Sequence, residues 1–433
     1  MKIGILGGGL TGLSLSYFLK GETEILEAEN KCGGLCQSPV KNGFAYDIGG
    51  HIIFSKDAEV LKLMIKLLEK NIDKKMRKNF VLFKKHLVKY PFENDLSALP
   101  PKDNFECLYY YLFNNYPAPK NFEEWIYYTF GKGIAEKYMM PYNEKIWKIP
   151  PKKMGMEWVS RVPKPPAEDV IKSAIGIPTE GYTHQLYFYY PVQGGIQSLI
   201  RVLEKRATQS DASKMHQTTI TNNFKIKKII KKEGEWIVSD GKEEKKFDKL
   251  VSSIPVFELV DALDAPANVK KVAKKLKYNS FIAVLIGLHR DLSDKSAIYI
   301  PDKNIIFHRI CFNNYFSKYM SPPKKSSLVA EITASPNDKI WNMSDKEIIQ
   351  KVIDDLVNLG VIQKSDVCET DVTRRKYGYV IYDIDYEKNM EIINTWLDSL
   401  GIFRCGRFAE FKYLNMDACI RNALELSKKI NQS

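Results

Sequence analysis

The sequence predicts an α/β composite, in which a discontinuous Rossmann-like domain is interrupted by a helical subdomain and by a mostly antiparallel sheet subdomain. Three observations support this prediction. A short apolar strand at the N-terminus runs into a glycine-rich turn and a helical pattern, strand-forming segments return in the middle and near the end of the chain, and aromatic-rich helical stretches separate them. The 433 residues, of which 44% are hydrophobic, can form about three units of ~150 residues each.

The first element is a glycine-rich turn between a strand and a helix. Gly7, Gly9 and Gly12 follow the apolar residues 2–6. In this order the glycines permit a tight turn, close approach of a pyrophosphate and helix–strand packing, while the helix N-terminus attracts the phosphates. A second predicted strand ends at Glu27, twenty residues after Gly7, where a carboxylate can bind ribose hydroxyls. We therefore predict a dinucleotide site, with a ligand-free α/β turn as the alternative.

Two further glycine pairs distinguish among the dinucleotides. Gly33 and Gly34 come just after the acid, and in the segment Phe44–Phe54 we predict another strand that ends in the glycine pair Gly49 and Gly50. Glycine pairs let the backbone lie against a planar ring, and a plain NAD dehydrogenase needs neither pair. The series resembles the FAD superfamily of amine oxidases, protoporphyrinogen oxidase, phytoene desaturases and UDP-galactopyranose mutase. The resemblance implies that FAD is the cofactor.

Later segments fit the same domain. A predicted hairpin over residues 224–241 feeds a buried strand at 247–255, and a strand with a glycine turn follows at 403–408. Asn415 or Asp417 can cap the C-terminal helix, whose start the resemblance places at the flavin pyrimidine. Four residues here are expected to bind the cofactor: Gly406, Asn415, Met416 and Asp417. The predicted FAD-binding domain comprises residues 1–80, 190–265 and 400–433.

The intervening segments are predicted to form two substrate subdomains. Residues 95–180 carry aromatic side chains at helical spacing and prolines at helix boundaries, which is typical of a helical subdomain. Residues 266–399, with 81–94 and 181–189, predict the sheet subdomain, including an amphipathic helix over 347–359. Four strands are predicted there: 281–288, 296–300, 305–310 and 327–333.

Motifs in these subdomains are more specific than the glycine fingerprint. The segments Tyr90–Asn94, Pro141–Trp147, Trp158–Arg161 and Arg374–Tyr379 occur in this order, after Gly49–Phe54. Together they resemble the eukaryotic-type branch of UDP-galactopyranose mutase, or close prokaryotic relatives, essentially end to end. The resemblance implies an isomerase that interconverts the pyranose and furanose rings of UDP-galactose or a related nucleotide-sugar. It also implies a reduced flavin that bonds through N5 to the sugar C1, with NADPH or NADH as a possible reductant.

The same resemblance assigns residues to the site. The catalytic residues are expected to be His51, Arg161, Arg309 and Arg407. The substrate-binding residues are expected to be Phe54, Tyr90, Glu93, Asn143, Trp147, Gln185, Tyr299, Tyr379 and Tyr413. Arg161 and Arg309 would clamp the diphosphate, since a guanidinium binds phosphate oxygens in a bidentate manner and charge builds on the leaving group. His51 would lie beside the flavin, and Arg407 near the sugar.

Three positions depart from the family pattern. Glu93 stands where the family has glutamine, and because a carboxylate only accepts hydrogen bonds it suits an amino-bearing base better than uracil. The segment Tyr413–Asp417 is two residues shorter, and Val380 follows Tyr379 where the family has proline. The sequence therefore leaves both the nucleotide and the sugar open.

Composition limits the other partners. The net charge of +13 is compatible with nucleic acid, an anionic membrane or an anionic small molecule, but the lysines are scattered and no nucleic-acid module is recognisable. No apolar run reaches ~18 residues and no signal peptide is evident, so we expect a cytoplasmic protein without stable membrane insertion. Seven cysteines without paired spacing predict neither a metal site nor a disulfide framework. The oligomeric state is not predicted.

Two other function classes share these features. An FAD-dependent oxidase or desaturase, acting on an amine, a porphyrinogen or a polyene, would use the same fold. A flavoprotein binding module without turnover is the third hypothesis. The paired arginines in the inserted subdomains favour the nucleotide-sugar enzyme over both.

Overall fold

The glycine-rich turn belongs to a five-stranded parallel sheet in the computed structural model, which describes residues 1–162, 164–179, 186–209 and 216–432. All neighbouring strands of this sheet are parallel, although they come from distant parts of the chain. Their spatial order is Phe403–Arg404, Lys249–Ser252, Lys2–Leu6, Gly21–Leu26 and His216–Thr221. This mixed order confirms a Rossmann-like domain assembled from separate segments.

Different layers cover the two faces of the parallel sheet. Ile3 and Ile5 share a buried cluster with the first of these layers, which consists of helices Leu10–Phe18, Ala58–Leu68, Gln197–Thr208 and Met416–Gln432. Leu6 instead packs with Trp236 and Phe247, which belong to a three-stranded antiparallel sheet. The strands of that sheet are Lys228–Lys232, Glu235–Ser239 and Glu244–Phe247. Helices Val256–Ala262, Ala267–Ala273 and Tyr386–Leu400 share the same cluster. The predicted hairpin that feeds a buried strand is thus confirmed.

The segment before the second glycine pair differs from the prediction. Only Phe44–Ala45 forms a strand, in a short hairpin with Val40–Lys41. The chain then leaves the extended conformation at Gly49, whose φ of 88° lies in the region that favours glycine. Ile53 is joined to Tyr189 by a single antiparallel bridge. The predicted strand before the glycine pair is therefore limited to two residues, because the apolar pattern that follows Ala45 reflects burial within a loop.

Aromatic helices form the region that follows the hairpin of strands Asn79–Phe83 and His86–Lys89. Their bounds are Pro101–Leu112, Phe122–Ile134, Met140–Trp147 and Ala167–Ala174, and a π-helical turn, Ala135–Met139, joins the second to the third. The first two helices approach closely at Gly131, where an added Cβ would lie 2.1 Å from the carbonyl oxygen of Tyr110. Asn279 closes the end of the third helix by donating to the carbonyls of Ile146 and Trp147, both at 2.8 Å.

A seven-stranded sheet faces these helices. Its strand order is Val367–Ile381, Lys277–Leu288, Ser326–Ala334, Arg309–Phe312, Ala297–Tyr299, Asn79–Phe83 and His86–Lys89. One neighbouring pair is parallel and the others are antiparallel, as predicted for a mostly antiparallel sheet. The predicted strand over 305–310 begins only at Arg309. The predicted amphipathic helix is Asp345–Asn358, which begins with a capping box between Ser344 and Glu347.

Candidate active site

A cavity of about 1210 Å³ lies where the parallel sheet, the seven-stranded sheet and the C-terminal helix meet. Most of the predicted site residues line it. They are Gly7, Gly9, Glu27, Gly33, Gly34, Gly49, Gly50, His51, Phe54, Tyr90, Tyr299, Arg309, Tyr379, Arg407, Tyr413, Asn415, Met416 and Asp417. The fold therefore brings together segments separated by hundreds of residues in the sequence.

Other predicted residues lie elsewhere. Glu93 is 4% exposed in the short helix Phe92–Asn94, and it is not part of the cavity lining. The lining also omits Gly12, Gly406, Asn143 and Trp147. Gln185 and the side chain of Arg161 lie outside the described residues, so their roles stay predictions.

The glycine-rich turn forms a cradle built from backbone. An added Cβ at Gly12 would lie 2.0 Å from the carbonyl oxygen of Gly7, so only glycine allows the helix to pack against the strand. At Gly9 the same atom would meet nothing within 4 Å and would point into open space. No side chain caps the helix that starts at Leu10, so its first N–H groups lie without a capping partner beside this space. The cradle therefore fits a pyrophosphate.

Glu27 stabilises the cradle by accepting hydrogen bonds from backbone N–H groups. Its carboxylate accepts hydrogen bonds from the N–H groups of Gly8 at 2.7 Å and Glu29 at 2.8 Å. Burial raises the pKa of Glu27, and the two N–H donors oppose that rise. Because a carboxylate offers about four acceptor sites, Glu27 can hold the turn and still accept from a ribose hydroxyl.

The second glycine pair positions His51. The ring Nδ1 lies 3.0 Å from the carbonyl oxygen of Gly49, so Nδ1 carries the proton and Nε2 is an acceptor. Burial lowers the pKa of His51 to about 4, and the charges of Arg407 and Arg309 act in the same direction. His51 is therefore a neutral hydrogen-bonding group at physiological pH.

The C-terminal helix begins at the cavity. Asn415 immediately precedes the helix, and its carbonyl accepts the N–H of Cys419 at 3.0 Å, as expected for the N-cap position. Asp417, in the first turn, accepts the hydroxyl proton of Ser55. The helix start thus presents backbone dipoles to the cavity.

Arg309 is held by a buried acid that the sequence did not single out. Arg309 and Glu331 are directly opposite each other on neighbouring antiparallel strands. Nε and Nη2 of Arg309 lie 2.8 and 2.6 Å from Oε2 of Glu331, whose Oε1 accepts the N–H of Gly50 at 2.8 Å. The side chain of Glu331 is 1% exposed, whereas that of Arg309 is 20% exposed and faces the cavity. The available signal was a lone acid within the apolar run 328–332.

Arg407 joins two edges of the site. Its Nε donates to the carbonyl of Leu414 at 2.8 Å and its Nη1 to the carbonyl of Gly378 at 3.3 Å. Its guanidinium carbon lies 4.6 Å from the ring centroid of Tyr413. Arg407 therefore fixes the shortened loop against the long strand Val367–Ile381 and places a positive charge in the cavity wall.

Aromatic rings form the rest of the wall. Tyr379 and Tyr413 stack with a centroid separation of 5.8 Å and an interplanar angle of 4°. Trp158, which begins the Trp158–Arg161 motif but was not assigned to the site, packs edge-on to Tyr413 with ring centroids 4.8 Å apart and lines the cavity. The ring centroids of Tyr90 and Tyr299 lie 4.8 Å apart. Burial raises the pKa values of Tyr90 and Tyr379, so these phenols remain protonated and can donate to an anion.

Asn143 and Trp147 support this wall from behind. The amide oxygen of Asn143 accepts the indole N–H of Trp147 at 2.9 Å, and the amide nitrogen donates to the carbonyl of Met139 at 2.7 Å. Trp147 then packs edge-on to Trp158 with ring centroids 4.4 Å apart. The amide oxygen of Asn143 is thus used within its own helix, and the amide nitrogen holds the preceding π-helical turn.

Metal-ligating clusters and membrane-spanning helices are absent from the part of the chain that the structure describes. Within 1–162, 164–179, 186–209 and 216–432, no group of three or more His, Cys, Asp or Glu side chains could hold a metal ion. Over the same ranges, every helix is too short or too polar to cross a bilayer.

Comparison with known proteins agrees with the geometry of the cradle. A profile for an NAD(P)-binding Rossmann-like domain matches residues 5–67, and one for the flavin containing amine oxidoreductases matches residues 154–386, more than half of the chain. A reduced UDP-galactopyranose mutase shares 25% identity and a TM-score of 0.89, over 99% of this chain and 93% of that one.

Two further structures show the breadth of the fold. A protein described as a protoporphyrinogen oxidase, from Exiguobacterium sp. 255-15, has a TM-score of 0.77 at 17% identity, covering 100% of this chain and 98% of that one. Cyclohexylamine oxidase from Brevibacterium oxydans has a TM-score of 0.68 at 14% identity, with the same coverage of 100% and 98%. These two likenesses concern the fold.

Proposed function

The chain belongs to the flavin containing amine oxidoreductase family, with FAD as its cofactor, and we propose that it is a mutase which interconverts the pyranose and furanose rings of a nucleotide-sugar. The similarity to a reduced UDP-galactopyranose mutase, over 99% of this chain, supports this choice within the family. The single observation that carries it is the charged wall opposite the cradle. A cation at Arg309 and the phenols of Tyr299 and Tyr379 suit a diphosphate better than an amine or a polyene.

The cradle and the glycine pairs hold the cofactor. The backbone around Gly9 would receive the pyrophosphate, Glu27 would accept from a ribose hydroxyl, and the start of the C-terminal helix would direct its dipole at the flavin. When bound and reduced, with NADPH or NADH as a possible reductant, FAD would supply a nucleophilic nitrogen for the anomeric carbon of the sugar. His51 carries no charge, and its Nε2 is available to accept a hydrogen bond from the cofactor or the sugar.

The wall binds the nucleotide-sugar. Arg309 faces the diphosphate and balances the negative charge that grows on it as the bond to the sugar breaks. Glu331 holds Arg309 by its Nε–Nη2 edge, so that Nη1 remains for phosphate oxygens. Arg161 is expected to complete the clamp, and Arg407 to keep the loop around Tyr413 next to the sugar. Glu93 leaves the identity of the base open.

Turnover of nucleotide-sugars by the reduced protein tests the proposal. We expect interconversion of the two ring forms of at least one UDP-, GDP-, CDP- or dTDP-sugar after dithionite reduction, resolved by chromatography, and none with oxidised flavin. Arg309→Met should lower kcat/KM by about 10²–10³-fold because it removes a charge that stabilises the transition state. Arg374→Met is the matched control, since Arg374 pairs with Asp345 outside the cavity and should change the rate less than twofold.

Two results would contradict the proposal. One is the absence of ring interconversion with all four nucleotide series although the reduced flavin is intact. The other is bleaching of the oxidised flavin by an amine, a porphyrinogen or a polyene, followed by reoxidation with oxygen, which would identify an oxidase or desaturase instead.

A further inference from the structure

An aromatic surface covers the outer side of the first two aromatic helices. Phe105, Tyr109 and Phe113 follow one another at four-residue spacing on helix Pro101–Leu112 and just beyond it, and their rings are 5.8 and 5.0 Å apart. Phe105 and Phe113 are each 65% exposed, Leu112 is 50% exposed and Tyr109 is 44% exposed. Such a row of exposed aromatic side chains is unusual for a free surface and indicates an interaction site.

The surface extends to the neighbouring helix. Tyr116 and Tyr128 are 40% and 44% exposed, and the amide of Asn114 ties their two segments together by donating to the carbonyl of Tyr128 at 2.9 Å. We call Phe105, Tyr109, Leu112, Phe113, Tyr116 and Tyr128 the aromatic surface. It lies outside the lining of the cofactor cavity.

The helix that carries the aromatic surface is rigidly held from the other side. Cys107, on its inner side, is fully buried, and an added Cβ at Gly133 would lie 2.6 Å from the Cα of Cys107. Lys137 forms ion pairs with Asp103 at 3.0 Å and with Glu106 at 2.6 Å. The aromatic side chains therefore cannot turn inward without separating a tightly packed pair of helices, and their exposure is a fixed property of the folded chain.

We propose that the aromatic surface is a self-association interface, and that its occupant is the same surface of a second copy of this chain. Area supports this occupant. Five aromatic side chains, each able to bury 150–250 Å², and Leu112 are on average about half exposed, which amounts to roughly 600 Å² per copy. Standard interfaces bury about 800 Å² per partner, so the aromatic surface with a polar rim is large enough for a stable dimer.

Charge also supports a second copy. The whole chain carries +13, so most faces of two copies repel each other. Residues 101–134, which include the aromatic surface, contain three lysines and four acidic residues, so two copies can meet here without that repulsion. An anionic bilayer would instead require a basic rim around the aromatic side chains. This proposal is independent of the reaction that the enzyme catalyses.

Sedimentation of the FAD-loaded protein tests the interface. Between about 1 and about 100 µM we expect a mass of twice 49.8 kDa, which corresponds to a dimer with a Kd in or below this range. The double variant Phe105→Ser/Phe113→Ser should raise the dimer Kd at least tenfold, while the flavin spectrum and the Tm stay within error of the wild type. The matched control is Tyr319→Ser/Ile384→Ser, since these exposed side chains (50% and 67%) lie elsewhere and should not change the Kd.

Four outcomes would overturn the proposal. The first is a wild-type protein that is monomeric at about 100 µM. The second is a dimer Kd that Phe105→Ser/Phe113→Ser does not change, and the third is a control variant that raises the dimer Kd as much as the double variant does. The fourth is a monomeric wild type that floats with phosphatidylserine vesicles, with flotation lost in the double variant. The last result would identify the aromatic surface as a membrane contact.

Discussion

The two sides of the cavity are constructed differently. The cradle around Gly7, Gly9 and Gly12 consists of backbone, within one strand–turn–helix unit, and its shape depends on the absence of side chains. The opposite wall consists of side chains, and its central cation, Arg309, depends on the buried carboxylate of Glu331. The cradle should therefore respond to changes in size, and the wall to changes in charge.

Size changes in the cradle are expected to have the largest effects, and they should differ between neighbouring glycines. Gly12→Ala places a Cβ 2.0 Å from the backbone of Gly7, which cannot move without breaking the strand–helix contact. We expect this variant to lose FAD and to unfold, or to lose more than about 4 kcal/mol of stability, which is exceptional for one methyl group. Urea unfolding and the absorbance of bound flavin measure both effects.

Gly9→Ala is the matched comparison. Its φ of −71° suits alanine and its Cβ meets no protein atom, so the free energy of unfolding of the FAD-free protein should change by less than about 0.5 kcal/mol. FAD affinity should nevertheless fall at least tenfold, because the methyl group occupies the position assigned to the pyrophosphate. If Gly9→Ala binds FAD normally, the cofactor does not lie against this turn.

Charge changes in the wall should come next in size. Arg309→Met leaves Glu331 buried without its cation, which should cost about 3–5 kcal/mol of stability. Adding Glu331→Met removes the stranded carboxylate, so the double variant should regain most of that loss while its affinity for nucleotide diphosphates stays low. Urea unfolding and nucleotide titration of the reduced protein separate the two effects.

A surface ion pair provides the control for this cycle. Lys172 and Glu168 form an exposed i,i+4 pair, and Lys172→Met should change stability by less than about 1 kcal/mol. Additive losses in the Arg309/Glu331 double variant would mean that the two residues stabilise the fold separately. The wall would then not depend on their pairing.

The same contrast explains what could be predicted from the sequence. The determinants of the cradle lie within 27 residues, so the order of strand, glycines, helix and acid is sufficient to predict it. The pairing of Arg309 with Glu331 depends on the register between two strands, which no local pattern specifies. Trp158 joins the wall through contacts with Trp147 and Tyr413, which are distant from each other in the sequence. The apolar residues that follow Ala45 were predicted to continue a strand because apolar loops and buried strands have the same composition.

Asn143 shows a different limit. The family resemblance assigns it to the substrate, whereas the structure uses both ends of its amide to hold Trp147 and the preceding helical turn. The spacing of four residues between Asn143 and Trp147 is visible in the sequence. It predicts contact on one helix face, but the partner of a polar side chain depends on what else surrounds it.

The smallest expected effect is a pH dependence of the free energy of unfolding that arises from Asp47, a buried carboxylate. Unlike Glu331, Asp47 accepts its hydrogen bonds from neutral groups, which are the hydroxyls of Ser38 and Tyr190 and the N–H of Ile196. Burial raises the pKa of Asp47 to about 6. Between about pH 4 and 6 the folded state therefore holds a proton that the unfolded chain has released. The contribution of Asp47 to the free energy of unfolding falls as the pH rises through this range, by about 2–3 kcal/mol in total.

Asp47→Asn removes this titration, and the hydroxyl of Tyr190 can rotate to accept from the new amide. The stability of the variant relative to the wild type should therefore increase from pH 4 to pH 6 and level off above, as measured by urea unfolding of the FAD-loaded proteins. Asp264→Asn is the control of opposite sign, because a hydrogen bond from Lys270 lowers the pKa of Asp264 and its benefit is lost on acidification. A difference between wild type and Asp47→Asn that does not vary with pH would mean that Asp47 is charged throughout, and that neutral donors alone can hold a buried carboxylate as firmly as Arg309 holds Glu331.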